Sequence, residues 1–361
     1  MKQSIVDLRT PAILVEADKL EANLRSMQDC CNAAGVELWP HCKTHKMVQV
    51  LKRQIGLGAA GATVAKVSEA EALLPSGVRN VFIAHSLVDL RLAPRLAALS
   101  SRLDRLVLAV TSVFQLEALE RLLDAAGINV EALLAVDTGL SREGARTSEA
   151  AKILADKIRK CQRLDLIGIY THEGHAYGAA SGLVEATVEN VHQRLLEYRW
   201  AVGGDLPLWP GCSVTAKLMA GREGVRVVRP GSYCFGDLFL TEATGVMPAD
   251  APALTVLSTV IDHPEPGLAL LDAGSKVFSS DKLTNGISAK EVGNSEIMIT
   301  RFSEEHGFVV LQAGFAPPIG ERWRFVPAHV CPVVNLASEV HLVQGVEVIE
   351  TWAVEARGCS I

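Results

Sequence analysis

The seven residues Pro40-His41-Cys42-Lys43-Thr44-His45-Lys46 place two lysines and two histidines directly after the apolar run from Val36 to Trp39. An amine held among other cations and partly withdrawn from water has its pKa pushed down, and the neutral amine attacks aldehydes and ketones. Lys43 is therefore a candidate for attachment to a carbonyl-bearing cofactor or substrate. A solvated basic turn is the alternative on these residues alone.

Other polar clusters follow. They are His85, Asp137-Thr138-Gly139 with Arg142, and Tyr170-Thr171-His172-Glu173-Gly174-His175 with Tyr177. Later come Gly211-Cys212-Ser213-Val214-Thr215 and Arg229-Pro230-Gly231-Ser232-Tyr233. Small and hydroxylated residues let backbone N–H groups approach an anion, so Gly211 to Thr215 and Gly231-Ser232 suit a phosphate cradle. Taken singly, each could be an ordinary glycine turn. An early lysine combined with a late phosphate cradle supplies the two anchors that pyridoxal phosphate (PLP) needs. In Pro327-Ala328-His329-Val330-Cys331-Pro332, an extended backbone would point His329 and Cys331 the same way. That imidazole and thiolate could hold one divalent ion, and the pair suits zinc. Buried core side chains are the alternative reading.

The elements that must position these clusters alternate. A helical stripe at Leu20, Leu24, Met27 and Cys31 ends at Gly35 and leads into the strand before Lys43. Helix-like Met47 to Ile55, a strand at Ala62 to Val64, and a helix opened by a Ser68/Glu71 capping box come next. The spacing then predicts strands at Val78–Ala84, Leu106–Val110, Val130–Val136 and Leu164–Tyr170, and helices at Leu90–Leu99, Val113–Ala126, Ser148–Cys161 and Leu183–Val202. This many βα units suits a (β/α)8 TIM-like barrel, in which chemistry gathers where strands end. Beyond about Gly245 the segments Leu254–Ile261, Leu268–Leu271, Phe308–Leu311 and Arg324–Val354 are β-branched or alternating. The expected organisation is a barrel over 12–243, with 1–11 plus 244–361 forming a β-rich domain that carries the His329/Cys331 site.

Composition narrows the partners. A chain of 361 residues, 49% hydrophobic and with net charge −6, has a well-filled core and lacks the basic excess that nucleic-acid binding needs. No apolar run reaches membrane-spanning length, and Met1 to Thr10 has no signal-peptide pattern, so a cytoplasmic location is expected. The eight cysteines show no C-x-x-C spacing and are expected as free thiols, one of them a candidate metal ligand.

Ordered motifs along the whole chain resemble the D-serine dehydratase and D-threonine aldolase family. These are fold type III PLP enzymes with an alanine-racemase-like barrel. The matching segments are Thr10-Pro11, Pro40 to Lys46, Ala65 to Glu71, Val136 to Arg142, Tyr170 to Tyr177 and Arg229 to Tyr233, then Leu271 to Lys276, Ser303 to Gly307, Pro327 to Pro332 and Ala356 to Gly358. The resemblance implies that Lys43 carries the Schiff base, that Arg142 lies beside the cofactor ring, and that Tyr170 faces the pyridine nitrogen. It puts Tyr177, Ser213, Thr215, Gly231 and Ser232 around the phosphate, and His329 and Cys331 on the metal. Two points stay open. The family's usual Gly-Ser-Thr-Pro-Thr is Gly-Cys-Ser-Val-Thr here, so either Cys212 or Ser213 could supply a phosphate contact. Arg229 matches the arginine that faces the pyridine nitrogen in the racemases.

By the same resemblance, the dehydratases carry His-x-Cys, as here, and the aldolases His-x-Asp. The implied activity is a PLP- and metal-dependent lyase of D-3-hydroxyamino acids, foremost a D-serine dehydratase. Zinc is the implied metal, with manganese or magnesium as alternatives. The alternative is retro-aldol cleavage to glycine and an aldehyde. A racemase would need a tyrosine in the C-terminal domain, and none follows Tyr233. A non-catalytic PLP-binding protein would lack the β-rich tail. The resemblance also implies a homodimer.

Overall fold

The computed structural model describes residues 3–361. The chain forms two compact units. One comprises Arg25–Lys43, Val48–Gly231 and Gly358–Ile361; the other comprises Met1–Leu24, Thr44–Met47 and Ser232–Arg357.

The first unit alternates strand and helix. Six parallel strands neighbour one another in chain order: Ala62–Val64, Asn80–Ile83, Arg105–Val110, Val130–Ala135, Leu164–Tyr170 and Leu208–Trp209. Glu37–Leu38 pairs in parallel with Val227–Val228. Single parallel bridges, His41 to Thr63 and Leu208 to Val225, join the two sets and close the expected barrel. Strands covered on both faces read as continuous apolar runs, as in Leu106-Val107-Leu108-Ala109-Val110. Aromatic rings fill the interior: Trp39 and Trp209 meet edge to face with centroids 4.9 Å apart, and Phe82 meets Tyr170 at 5.1 Å. Gly61 makes room for the indole, since a Cβ there would lie 2.7 Å from the Trp39 ring.

The covering helices obey local rules. Val113–Ala126 begins where the Ser112 hydroxyl accepts the Gln115 N–H, and it ends at Gly127 with φ +66°. The expected Ser68/Glu71 capping box does not form. Helix Val67–Leu73 has Lys66 at its N-cap, and the Glu69 carboxylate accepts the Ala65 N–H at 2.6 Å instead. Glu71 turns to Arg95, 2.6 Å away.

In the second unit six antiparallel strands close on themselves. Their order is Leu268–Leu271, Gly307–Val310, Met298–Phe302, Ala289–Glu291, Arg322–Pro327 and Leu254–Asp262, and the last pairs back onto the first. Ala12–Glu16 extends this sheet beside Leu254–Asp262, followed by Glu339–Gln344 and Glu347–Ala353. The run from Arg324 to Val354, expected to be β throughout, is interrupted by helix Val330–Leu336. Pro332 explains the break, because it cannot donate to a sheet ladder yet is tolerated in a first helical turn. Among the described residues no helix is long and apolar enough to cross a membrane.

Candidate active site

The C-terminal ends of the parallel strands carry the first constellation. The turn after Glu37–Leu38 is pinned by main-chain bonds: His41 N–H donates to Pro230 O and Cys42 N–H to Thr63 O, each at 2.8 Å. Lys43 is half-buried on that turn, and its N–H reaches His41 Nδ1 at 3.4 Å. Burial, then the charges of Lys43 and Arg229, hold the His41 imidazole well below its usual range. His172 is likewise lowered to about 3, by burial first and Lys43 second. Two neutral imidazoles thus accompany the Lys43 amine, as desolvation and like charge dictate.

Arg229 and Tyr170, alternatives in the sequence reading, stand together. The buried Arg229 guanidinium donates to Thr171 O at 2.5 Å and to Trp209 O at 3.1 Å, and its carbon lies 5.2 Å from the centre of the Tyr170 ring. Burial lowers Arg229 to about 10 and raises the Tyr170 phenol, whose hydroxyl donates to Ala84 O at 3.5 Å. Arg142 is more exposed and pairs with Glu143 at 3.3 Å.

Two of the expected phosphate residues meet directly, since the Ser213 hydroxyl accepts the Gly231 N–H at 3.0 Å. Thr215 points elsewhere: its hydroxyl donates to Glu173 Oε1 at 2.7 Å, and Glu173 Oε2 accepts the Gly211 N–H at 3.0 Å. Tyr177 sits half-buried on the turn Gly174–Gly178 that follows Glu173. Ser232 is buried in the other unit, where it opens the turn Ser232–Cys234. Sequence reasoning gave no role to His41, His172 or Glu173. The available signal was an acid and an imidazole adjoining an apolar strand end, where desolvation is costly without partners.

The second constellation lies within the β-rich unit. His329 is extended (φ −142°, ψ 117°) and caps the helix that contains Cys331, so the pair is brought together at a helix start, not along a strand. Asp281 Oδ2 lies 2.7 Å from His329 Nδ1, and Thr44 Oγ1 lies 3.2 Å from Cys331 Sγ. Asp237 accepts the N–H of the intervening Val330 at 3.2 Å. Burial opposes a charged His329 ring, but Cys331, Asp237 and Asp281 together raise it to about 10. An imidazole and a cysteine sulfur near enough to bond each other, with a carboxylate on the imidazole Nδ1, form a donor set that fits a divalent ion once the thiol is ionised. Among the described residues no group of three or more His, Cys, Asp or Glu is placed to hold an ion. Two protein ligands would therefore leave positions open for water or substrate.

Comparison with known proteins identifies the setting. Residues 15–238 match the family model of the alanine racemase N-terminal domain, and 253–343 match that of a serine dehydratase domain. D-threo-3-hydroxyaspartate dehydratase from a Delftia species is 31% identical over 92% of this chain and 93% of its own. The chain belongs to the D-serine dehydratase and D-threonine aldolase family. Members of this family are lyases on the alanine-racemase-like fold of type III PLP enzymes, and the protein is an enzyme of that kind. D-threonine aldolase from an Arthrobacter species is 29% identical over 97% of the chain and 93% of its own. Among solved structures, D-threonine aldolase from Filomicrobium marinum superposes with TM-score 0.92 at 27% identity, covering 100% of this chain and 98% of the other. The Delftia dehydratase gives 0.88 at 28%, covering 98% and 99%. Further structures of a D-threo-3-hydroxyaspartate dehydratase include a cysteine-to-alanine mutant in the metal-free form and an alanine mutant of the histidine two positions earlier.

Proposed function

We propose that this protein is a PLP- and metal-dependent lyase of D-3-hydroxyamino acids, which dehydrates D-serine or a close analogue to a 2-keto acid and ammonia. The observation that carries the reading is the His329–Cys331 pair with Asp281 behind the imidazole. The same His-x-Cys spacing separates the two mutated positions of the D-threo-3-hydroxyaspartate dehydratase, whose cysteine mutant was solved in the metal-free form.

PLP, when bound, supplies an electron sink for the charge left at the substrate Cα. Lys43 is the amine that would attach the cofactor and take the Cα proton. Arg142 and Tyr170 would contact the cofactor ring, with Arg229 beside Tyr170. Ser213, Thr215, Gly231, Ser232 and Tyr177 would serve the phosphate. His329 and Cys331 would hold a divalent ion, zinc by the softness of the thiolate, and its chemistry there is that of a Lewis acid toward the β-hydroxyl. We also take the protein to be cytoplasmic and a homodimer, and sedimentation of the purified protein checks the dimer.

Product analysis tests the reaction. The PLP- and zinc-loaded enzyme should yield pyruvate and ammonia from D-serine, and 2-oxobutyrate and ammonia from D-threonine. Retro-aldol cleavage is the second reading, favoured by the near-complete superposition on the Filomicrobium aldolase. Glycine and acetaldehyde from D-threonine would establish it and overturn the dehydratase.

A further inference from the structure

Glu173 is fully buried at the end of strand Leu164–Tyr170, and the chemistry above leaves it without a role. Its two carboxylate oxygens are divided between the ends of one loop: Oε2 accepts the Gly211 N–H at 3.0 Å, and Oε1 accepts the Thr215 hydroxyl at 2.7 Å. The Thr215 proton has one other acceptor in reach, Cys212 O at 3.4 Å, so the carboxylate takes it. Gly211 is held from its other side too, because its carbonyl bonds His172 Nδ1. The glycine leaves no slack: a Cβ would lie 2.6 Å from the Arg229 guanidinium.

Both carboxyl oxygens of Glu173 are engaged, one by a backbone N–H and one by a hydroxyl. Burial raises the Glu173 carboxyl, and the Gly211 and Thr215 hydrogen bonds and the Arg229 charge reduce that rise without cancelling it. A buried carboxyl with both oxygens engaged is thereby fixed behind a loop otherwise rich in small residues, and that loop is where the phosphate of PLP is placed above.

We infer that Glu173 is a positioning residue which shapes the Gly211–Thr215 loop for the cofactor phosphate. Thr215 then serves the phosphate through Glu173, not by donating its own hydroxyl proton. This inference rests on the PLP reading and deepens it. It also separates residues of similar appearance: the Ser213 hydroxyl oxygen accepts the Gly231 N–H, whereas the Thr215 hydroxyl is committed to an acid.

Binding of PLP and of pyridoxal, which lacks the phosphate, tests the inference by absorbance titration of purified wild type, E173Q, T215V and T215S. Glutamine offers one acceptor where two are used, and its NH2 would face a donor. E173Q should therefore weaken PLP by about tenfold or more while pyridoxal stays within about twofold. T215V, which keeps the carboxylate, should weaken PLP alone by about threefold, and T215S should restore it. A PLP-to-pyridoxal preference unchanged in both E173Q and T215V overturns the inference, as does equal weakening of both ligands. Should E173Q not fold, T215V against T215S decides. Wild type that gives no Lys43-dependent absorbance change with PLP, judged against K43A, would bring down the functional reading and the inference with it. That outcome is distinct from a Lys43-dependent adduct indifferent to Glu173.

Discussion

The two constellations are held by different means. In the parallel-strand unit Lys43 is placed by main chain: its turn is tied through His41 to Pro230 and through Cys42 to Thr63, both by backbone bonds of neighbouring strands. In the β-rich unit His329 and Cys331 depend on side chains, with Asp281 on the ring, Thr44 on the sulfur and Asp237 on the amide between them. A ladder-built position survives the loss of any one neighbouring side chain; a position built by side chains does not. Lys43 should therefore keep its place when a neighbouring side chain is lost, whereas the His329–Cys331 pair should fail by degrees as its supports are removed.

The largest effect expected is that of K43A, which removes both the attachment point and the proton acceptor and should cut turnover by about a thousandfold or more. The absorbance of the lysine-bound cofactor should vanish while thermal stability stays near that of wild type, because the turn is held by backbone. C331A should follow, with metal lost by elemental analysis and activity down about a hundredfold, while Lys43-dependent PLP binding persists. Loss of PLP binding in C331A would break the comparison, since the two sites would then not be independent.

What was legible in the sequence follows the same division. Strand-and-helix alternation was read directly, because the apolar runs of a parallel sheet and the 3.6-residue stripes of its helices are local signals; Val113–Ala126 and Leu164–Tyr170 fall where the pattern puts them. Lys43 was legible as a candidate because four basic residues in seven are hard to reconcile with packing alone. His329 and Cys331 were legible as a candidate pair, but their geometry was not. A β-branched run argued for an extended segment, and Pro332 turned it into a helix. Asp281 carries no motif, and Thr44 belongs to the Lys43 motif far from the pair in sequence, so only folding reveals their contacts with it. Glu173 stood inside a quoted motif without a role, since its partners Gly211 and Thr215 come from the next strand end. The missing Ser68/Glu71 cap shows the opposite error: the residue types were right, but Glu71 found Arg95.

Two intermediate effects sharpen the contrast. D281N, which leaves His329 a weaker partner on Nδ1, should lower metal affinity about 10- to 100-fold in chelator competition. Retention of wild-type affinity would show that the imidazole is oriented without Asp281. In the other unit the expected dependence is on pH. Folding keeps His172 neutral, with its pKa lowered to about 3, whereas an unfolded histidine titrates near about 6.5. Between these values the unfolded chain takes up a proton that the folded chain refuses, so stability falls as pH falls, by about 1.4 kcal/mol per pH unit. Denaturant unfolding of wild type and H172Q between about pH 7 and pH 4 should show a shallower acid slope in the variant. Parallel slopes would mean that His172 accepts its proton in the folded state.

The smallest effect concerns Thr44, and its sign carries the information. Its hydroxyl lies 3.2 Å from Cys331 Sγ, and either atom could be the donor. If the hydroxyl donates, it favours thiolate over thiol and so prepares the ligand. T44V, which replaces the hydroxyl by a methyl of similar size at a fully buried position, should then weaken metal binding by about threefold, with T44S close to wild type. If the sulfur donates, the hydroxyl stabilises the thiol that must lose its proton when metal binds, and T44V should bind metal more tightly. A threefold loss would place Thr44 with Asp281 among the side chains that build the ligand pair. A gain would mean that the metal site works against one of its own neighbours, and that removing supports does not always weaken a site built from side chains.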